Sequence, residues 1–401
     1  MNARAEEESI ASITASVPSR KYSEYMMAKI FIITGDISGD LHGALLAKSL
    51  LEKEPLLQIF GVGGERMKAA GIKILFDLTR FSLVGFVEVA RYIFLFRRVL
   101  YQLIVRIKEE RPDVVIFINY PGFNLRVAEK IKDLPIPLIY YIGPQVWAWG
   151  KGRIKKIVSL FTKMITILPF EKAIYEKEGL STSFVGHPLL DVVKPTESKE
   201  EIMKHFSLKE KCSLVTLLPG SRSCEVKRVL PVMVKLTRLI RKEKKETQFA
   251  ILAASSLMEK EIEKILKLEK ISLPVTKERK YELIKSSDLI LTASGTATVE
   301  IAILERPMII LYKVSPLAYF FLKRIVKLPY IGMVNIIAKK EIVPEFIQRR
   351  ANARGILPTA LALLNQRKKG EEISSQLKEV KRALGSPGAA ARAAKIILER
   401  L

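Results

Sequence analysis

Leu289-Ile-Leu-Thr-Ala-Ser294-Gly295-Thr296-Ala297-Thr298-Val-Glu300 decides the fold of this 401-residue chain. Its first half is an apolar run of strand length, followed by small hydroxylated residues around one glycine. From Val299 to Leu304 the apolar residues fall at helical spacing until Arg306-Pro307 stops them. A strand that turns through Ser-Gly-Thr into a helix aims free backbone N–H groups and the positive helix end at one point, which suits a phosphate. Glu300, one turn in, is spaced to accept from a ribose hydroxyl. Taken alone, the pattern is also that of a plain strand-to-helix turn with a capping serine.

The same unit recurs along the chain. Lys29 to Thr34 is a buried-strand pattern that runs into Gly35-Asp36-Ile37-Ser38-Gly39-Asp40 and then a helix. Two acids and two glycines exceed what a helix cap needs. Gln58 to Gly64 is another strand ending in glycines. Val114 to Ile118 leads into Asn119-Tyr120-Pro121-Gly122-Phe123-Asn124. Leu138 to Ile142 leads into Gly143-Pro-Gln-Val-Trp147-Ala-Trp149, and Thr162 to Leu168 into Pro169-Phe170-Glu171. Ser183 to Pro188 closes this half. After a charged linker the pattern restarts: Ser213 to Leu218 runs into Pro219-Gly220-Ser221-Arg222-Ser223-Cys224-Glu225, and strands follow at Gln248–Ala253, Leu289 and Met308–Tyr312. Alternating strands and helices imply α/β domains with mostly parallel sheets covered on both faces, and a site at their carboxyl edges. The expected organisation is a disordered extension over 1–28, with Met26-Met27 as an alternative start, α/β domains over 29–188 and 189–350, and C-terminal helices over 351–401 packing back on the first domain.

Composition narrows the partners. The formal net charge of +25 calls for an anionic partner: phosphorylated small molecules, nucleic acid or an anionic membrane surface. No zinc-finger spacing, RNP pattern or basic heptad helix argues for nucleic acid. The two cysteines, Cys212 and Cys224, are too few for a disulfide framework and fit a reducing cytoplasm. Three histidines (His42, His187 and His205) make a His-based metal site an unpromising reading. No apolar run is long enough to span a bilayer, and residues 1–28 lack the apolar segment of a secretory signal.

Residues 81–107 stand apart. Phe81 to Leu100 is more apolar than a one-sided helix needs, yet carries Glu88, Arg91, Arg97 and Arg98. Residues 317–327 repeat the aromatic and basic mixture. Such stretches suit helices lying in an anionic membrane interface, or core helices whose arginines snorkel.

With these motifs in order, the chain resembles the lipid-A-disaccharide synthase family: membrane-associated inverting glycosyltransferases (family 19) of the GT-B fold. That fold has two Rossmann-like domains with parallel sheets facing an interdomain cleft. The resemblance covers about residues 29 to 350. Its carriers are the segments 35–40, 61–64 with Arg66-Met67, 119–124, Gln145-Val-Trp-Ala-Trp149, Leu168-Pro-Phe-Glu171, Val185-Gly-His-Pro188, 218–222 with Glu225, 294–300, and Asn335 with Ile342-Val-Pro-Glu345 and Gln348. It implies transfer of a diacylglucosamine from its UDP ester to the 6-hydroxyl of 2,3-diacylglucosamine 1-phosphate (lipid X), giving a β-1,6-linked disaccharide 1-phosphate and UDP. The location implied is the inner face of the inner membrane, as a peripheral monomer or homodimer.

Roles follow from the same reading. Ser221, Arg222, Glu225 and the backbone of Ser294, Gly295, Thr296, Ala297 and Thr298 are expected at the UDP diphosphate, where charge builds in the transition state. Glu300 is expected at the ribose, with Asn335 and Gln348 near the nucleotide. No Asp-x-Asp metal motif and no cofactor motif occurs, so neither a metal nor a cofactor is expected. In the family the turn after the Val114–Ile118 strand usually begins with aspartate; here Asn119 stands there, and an amide cannot act as a general base. Asp36, Asp40 and Glu88 are the local alternatives, with Glu88 or Asp40 preferred, and His187 is a further one. The competing readings are an epimerase or peptidoglycan glycosyltransferase of like architecture, or a catalytically weak or dead UDP-sugar-binding membrane protein.

Overall fold

The computed structural model describes residues 28–79, 93–145, 147, 152–209, 212–325 and 328–401. The first sheet contains β1 (Lys29–Ile33), β2 (Gln58–Val62), β3 (Lys73–Phe76), β4 (Val114–Ile118), β5 (Leu138–Tyr141), β6 (Lys163–Thr166) and β7 (Thr182–Phe184). Their spatial order is β3-β2-β1-β4-β5-β6-β7. The second sheet contains β8 (Leu214–Leu218), β9 (Gln248–Leu252), β10 (Val275–Thr276), β11 (Leu289–Ala293), β12 (Met308–Tyr312) and β13 (Glu345–Ile347), in the order β10-β9-β8-β11-β12-β13. Every pairing is parallel. The central strands β4, β8 and β11 are buried at every residue, as strands covered on both faces must be. The edge strands β3, β10 and β13 are short and partly exposed, so they left no clear apolar run in the sequence.

In each sheet the order reverses once, between β1 and β4 and between β8 and β11. Chains leaving two neighbouring strands in opposite directions open a crevice at their carboxyl ends. Four segments therefore sit at the two crevices: 35–40 and 119–124 in the first domain, 219–225 and 294–300 in the second.

The C-terminal helices bind the halves together. Helix Arg367–Ala383 packs on helix Ala297–Ile303, and helix Ala389–Leu398 packs on helix Ile37–Lys53. The last helix buries Ala389, Ala390, Ala393, Ala394 and Ile397, and these small residues allow close helix approach. Its neighbourhood is pinned by His187 N–H to Leu384 O (2.9 Å), Gly388 N–H to Asp191 Oδ1 (2.7 Å) and Arg392 Nε–H to Val185 O (2.9 Å). One apolar cluster runs continuously from the first sheet through these helices into the second domain. Core packing, as well as the linker, thus holds the two crevices opposite each other.

The expected extension at 1–28 falls outside the described residues except for Ala28, which is buried and accepts from Gln58 N–H (3.0 Å). Of the stretch 81–107, residues 81–92 also lie outside; the rest belongs to helix Ile93–Glu110. No helix among the described residues is long and apolar enough to cross a membrane.

Candidate active site

A cavity of about 250 Å3 lies between the two carboxyl edges. The first domain lines it with Ser38, His42, Asn119, Ile142, Gly143, Gln145, Ile167, Leu168, Glu171 and His187. The second lines it with Ser294, Gly295, Thr296, Val299, Ile331 and Met333. The residues at the two crevices, distant in sequence, share one space.

On the second-domain wall, the turn after β11 keeps its backbone donors open. Ser294 Oγ donates to Ile331 O (3.2 Å) and Thr298 Oγ1 to Gly295 O (2.8 Å). The N–H groups of Gly295, Thr296 and Ala297 donate to no other described residue. A Cβ added at Gly295 would meet nothing within 4 Å. Glu300, 5% exposed, accepts from Lys280 Nζ (2.5 Å) and Tyr281 Oη (3.2 Å), so its carboxylate is oriented from behind.

The loop after β8, expected at the diphosphate through Ser221, Arg222 and Glu225, is closed on itself by Glu225. Gly220 takes φ +127°, and a Cβ there would lie 2.7 Å from the Glu225 side chain. That approach lets Glu225 fold back and accept from Ser221 N–H (3.1 Å) and Arg222 N–H (3.3 Å), while Arg222 Nη1 reaches Glu225 Oε1 (3.2 Å). Glu225 is therefore the internal anchor of the loop, and the exposed Arg222 guanidinium is the group the loop presents. Its charge acts on Asp36 across the interdomain gap.

Two expected nucleotide contacts prove to be clamps. Asn335, fully buried, donates to Val343 O (2.8 Å) and Glu345 Oε1 (2.7 Å) and accepts from Ile342 N–H (2.9 Å) and Val343 N–H (3.0 Å). Its hydrogen-bonding capacity is spent within the protein. Gln348 accepts from Val314 N–H (2.9 Å) and donates to Val314 O (3.2 Å), tying two segments together as a strand neighbour would.

On the first-domain wall, Asp36 caps helix Ile37–Lys53 by accepting from Gly39 N–H (2.8 Å). Its other oxygen accepts from Asn119 Nδ2 (2.6 Å). Burial pushes the Asp36 carboxyl upward, against the pull of the Gly39 N–H and of Arg222. Asn119 has φ +49°, a left-handed conformation that Asn and Asp tolerate better than other residues with a side chain. Its carbonyl accepts from Tyr140 Oη and Asn124 Nδ2, both at 2.7 Å. Ile142 (φ +61°), which lines the cavity, and Tyr120 (φ +46°), next to Asn119 in the chain, share this strained conformation, as residues at functional sites often do.

Asp40, expected as a base, points away from the cavity. It accepts from Gly64 N–H (2.7 Å), Arg66 N–H (3.1 Å) and Met67 N–H (3.1 Å), capping helix Glu65–Ala69 across the domain. Glu88 lies outside the described residues. His187 Nδ1 accepts from Leu189 N–H (3.2 Å), which leaves the proton of the neutral ring on Nε2. Burial pushes His187 down to about 3 and His42 down to about 4. The two rings, 6.4 Å apart, line the cavity as uncharged imidazoles, and His187 has no free basic nitrogen.

Glu171 ends the Leu168-Pro-Phe-Glu171 motif, whose sequence assigns it no role. It sits one turn beyond β6, 2% exposed, and accepts from Trp147 Nε1 (3.0 Å), whose ring stacks edge-on to Phe170 at 5.0 Å. Burial pushes it up to about 7, against the opposing Trp147 and Leu168 hydrogen bonds. An acid two residues after the proline that ends an apolar strand was the signal available in the sequence.

Comparisons place this architecture. A model of the family described as Lipid-A-disaccharide synthetase matches residues 30–399. Lipid-A-disaccharide synthase of Syntrophus aciditrophicus is 40% identical over 370 residues, covering 92% of this chain and 97% of that protein. The synthase of Geobacter sulfurreducens is 40% identical over 373 residues, covering 93% and 97%. Among solved structures, the Staphylococcus aureus MnaA–UDP complex superposes with a TM-score of 0.64 at 16% identity, covering 94% and 98%. Acinetobacter baumannii MurG superposes with a TM-score of 0.57 at 12% identity, covering 93% and 99%. At such identities these likenesses speak for the fold alone, the GT-B arrangement.

Proposed function

The chain belongs to the lipid-A-disaccharide synthetase family, and from that premise we propose how its cleft divides the work of joining two acylated glucosamines. It is a glycosyltransferase of lipid A biosynthesis. The donor UDP ester lies with its diphosphate against the open N–H groups of Gly295, Thr296 and Ala297, opposite Arg222. The leaving phosphate gains charge as the sugar departs, so fixed N–H donors and a guanidinium lower that barrier directly. Glu300, held by Lys280 and Tyr281, presents a preset carboxylate to the ribose. The acceptor, an acylated glucosamine 1-phosphate, enters from the first-domain side, and attack from the face opposite the leaving group inverts the anomeric centre.

The observation that carries this reading is the shared cavity, where the Ser294–Thr296 turn faces Asn119 and Glu171. Helix Ile93–Glu110 exposes Phe94 and Tyr101 beside Arg97 and Arg98, and helix Pro316–Ile325 exposes Leu317 and Phe320 with Arg324 3.7 Å from the Phe320 ring. Apolar rings flanked by cations suit the inner-membrane surface from which acylated substrates must be drawn. Purified protein with UDP-diacylglucosamine and lipid X should release UDP and disaccharide 1-phosphate in equal amounts by mass spectrometry. Binding of UDP with no disaccharide formed refutes the proposal.

A further inference from the structure

An inverting transfer needs a group to accept the proton of the attacking hydroxyl, and the amide at position 119 cannot. We infer that Glu171 is that group: its carboxylate, fixed by the Trp147 indole on the wall of the interdomain cavity, takes the acceptor hydroxyl proton. The inference rests on the glycosyl-transfer reading above.

The carboxylates near the cleft differ in how their oxygens are engaged. Asp36 has one oxygen on Gly39 N–H and the other on Asn119 Nδ2, and it faces the Arg222 charge. Asp40 is spent on three backbone donors. Glu300 is held by Lys280 and Tyr281 on the other domain. Glu171 lines the cavity; among the described residues its one side-chain partner is Trp147, on Oε1, and with the Leu168 backbone as its further partner the carboxylate keeps acceptor sites for substrate. The indole N–H fixes the carboxylate without adding a charge, and burial outweighs the lowering that this hydrogen bond brings.

The step balances. The acceptor oxygen forms a bond to the anomeric carbon, and the bond from that carbon to the diphosphate oxygen breaks with its electron pair on UDP. The hydroxyl proton passes to Glu171 Oε2 and is lost to water before the next turnover. Titratable groups around Glu171 are Tyr175 on its own helix, Tyr140 on β5, and His42 and His187 on the cavity wall. Burial raises both tyrosines and lowers both histidines, so none of them changes charge near neutral pH. Asp36, bonded to Asn119, is the other carboxyl raised by burial, so a limb near 7 belongs to Glu171 when it vanishes in Glu171→Gln and persists in Asp36→Asn.

The test is Glu171→Gln, whose amide oxygen still accepts from Trp147, assayed with both acylated substrates in single turnover. The expected result is a fall in rate of about 100-fold or more, with UDP affinity within about threefold of the parent. In the parent protein the rate should rise with pH through about 7 to a plateau, as for a base active when ionised. That limb should vanish in Glu171→Gln and persist in Glu171→Asp at reduced rate. A parent rate flat between pH 6 and 8, or Glu171→Gln at near-parent rate, overturns the inference. So does Asp36→Asn losing the reaction while Glu171→Gln keeps it. Failure of the parent protein itself to form disaccharide refutes the underlying reading instead.

Discussion

Asn119→Asp places a second carboxylate against Asp36, and the consequence can be worked from the contact. Asn119 Nδ2 donates to Asp36 Oδ2 at 2.6 Å, and the substituted oxygen would meet that same atom with no proton between them. Two charges about 4 Å apart at an effective dielectric of about 20 repel by about 4 kcal/mol, or about three pKa units. The folded variant therefore retains one proton on the pair well above the pH at which the unfolded chain loses it. Binding a proton more tightly when folded means stability present at low pH and lost as pH rises. The deficit relative to the parent should grow by about 3 kcal/mol between pH 5 and pH 8. Urea titrations at intervals across that range measure it, with the parent as reference. A deficit independent of pH would show that the two side chains do not meet as described. The rate of disaccharide formation should not rise, because Glu171 takes the proton. A tenfold or greater increase would return the base to position 119 and refute the assignment of Glu171.

Asn335→Ala strands two buried N–H groups and one carbonyl and takes one donor from the Glu345 carboxylate, which keeps the Ile331 and Gly332 N–H groups. The urea midpoint should fall by the equivalent of about 3 kcal/mol, while the folded variant keeps its UDP affinity; weakened UDP binding without lost stability would restore a nucleotide role. Arg222→Ala should do the reverse. Its side chain is 59% exposed, so stability should hold, while the UDP dissociation constant measured by calorimetry rises about 10- to 100-fold. The membrane surface is tested with Phe94→Ser and Tyr101→Ser together, both rings being more than two-thirds exposed. Each ring should contribute roughly 1.5–3 kcal/mol on insertion, so sedimentation with anionic vesicles should weaken at least tenfold. Undiminished binding by the folded variant would place the contact elsewhere. Phe96 is a poorer probe, because it packs against Phe123 at 6.3 Å.

The two-domain α/β fold was legible because apolar strands ending in glycine, proline and small polar residues are local patterns. The Ser294–Thr296 turn was legible for the same reason: a strand, a small-residue turn and a helix fix where the backbone points, whatever packs around them. The family resemblance, carried by short motifs in fixed order, added the chemistry. What the sequence could not decide was how each side chain spends its hydrogen bonds. Asp40 reads as a free acid at a helix start, yet its partners lie 24 to 27 residues away. Asn335 reads as a polar residue near a nucleotide, yet it closes a loop seven to ten residues on.

Glu171 shows the same division. Periodicity marks it as a polar residue after a strand, and only the tertiary structure buries it beneath Trp147 and opens it to the cleft. Desolvation, which sets the protonation of a carboxylate, is a property of everything packed around it. That surrounding is assembled from both domains and the C-terminal helices. The sequence therefore determined the fold and the Ser294–Thr296 turn, and the packing alone decided which buried acid lines the interdomain cavity.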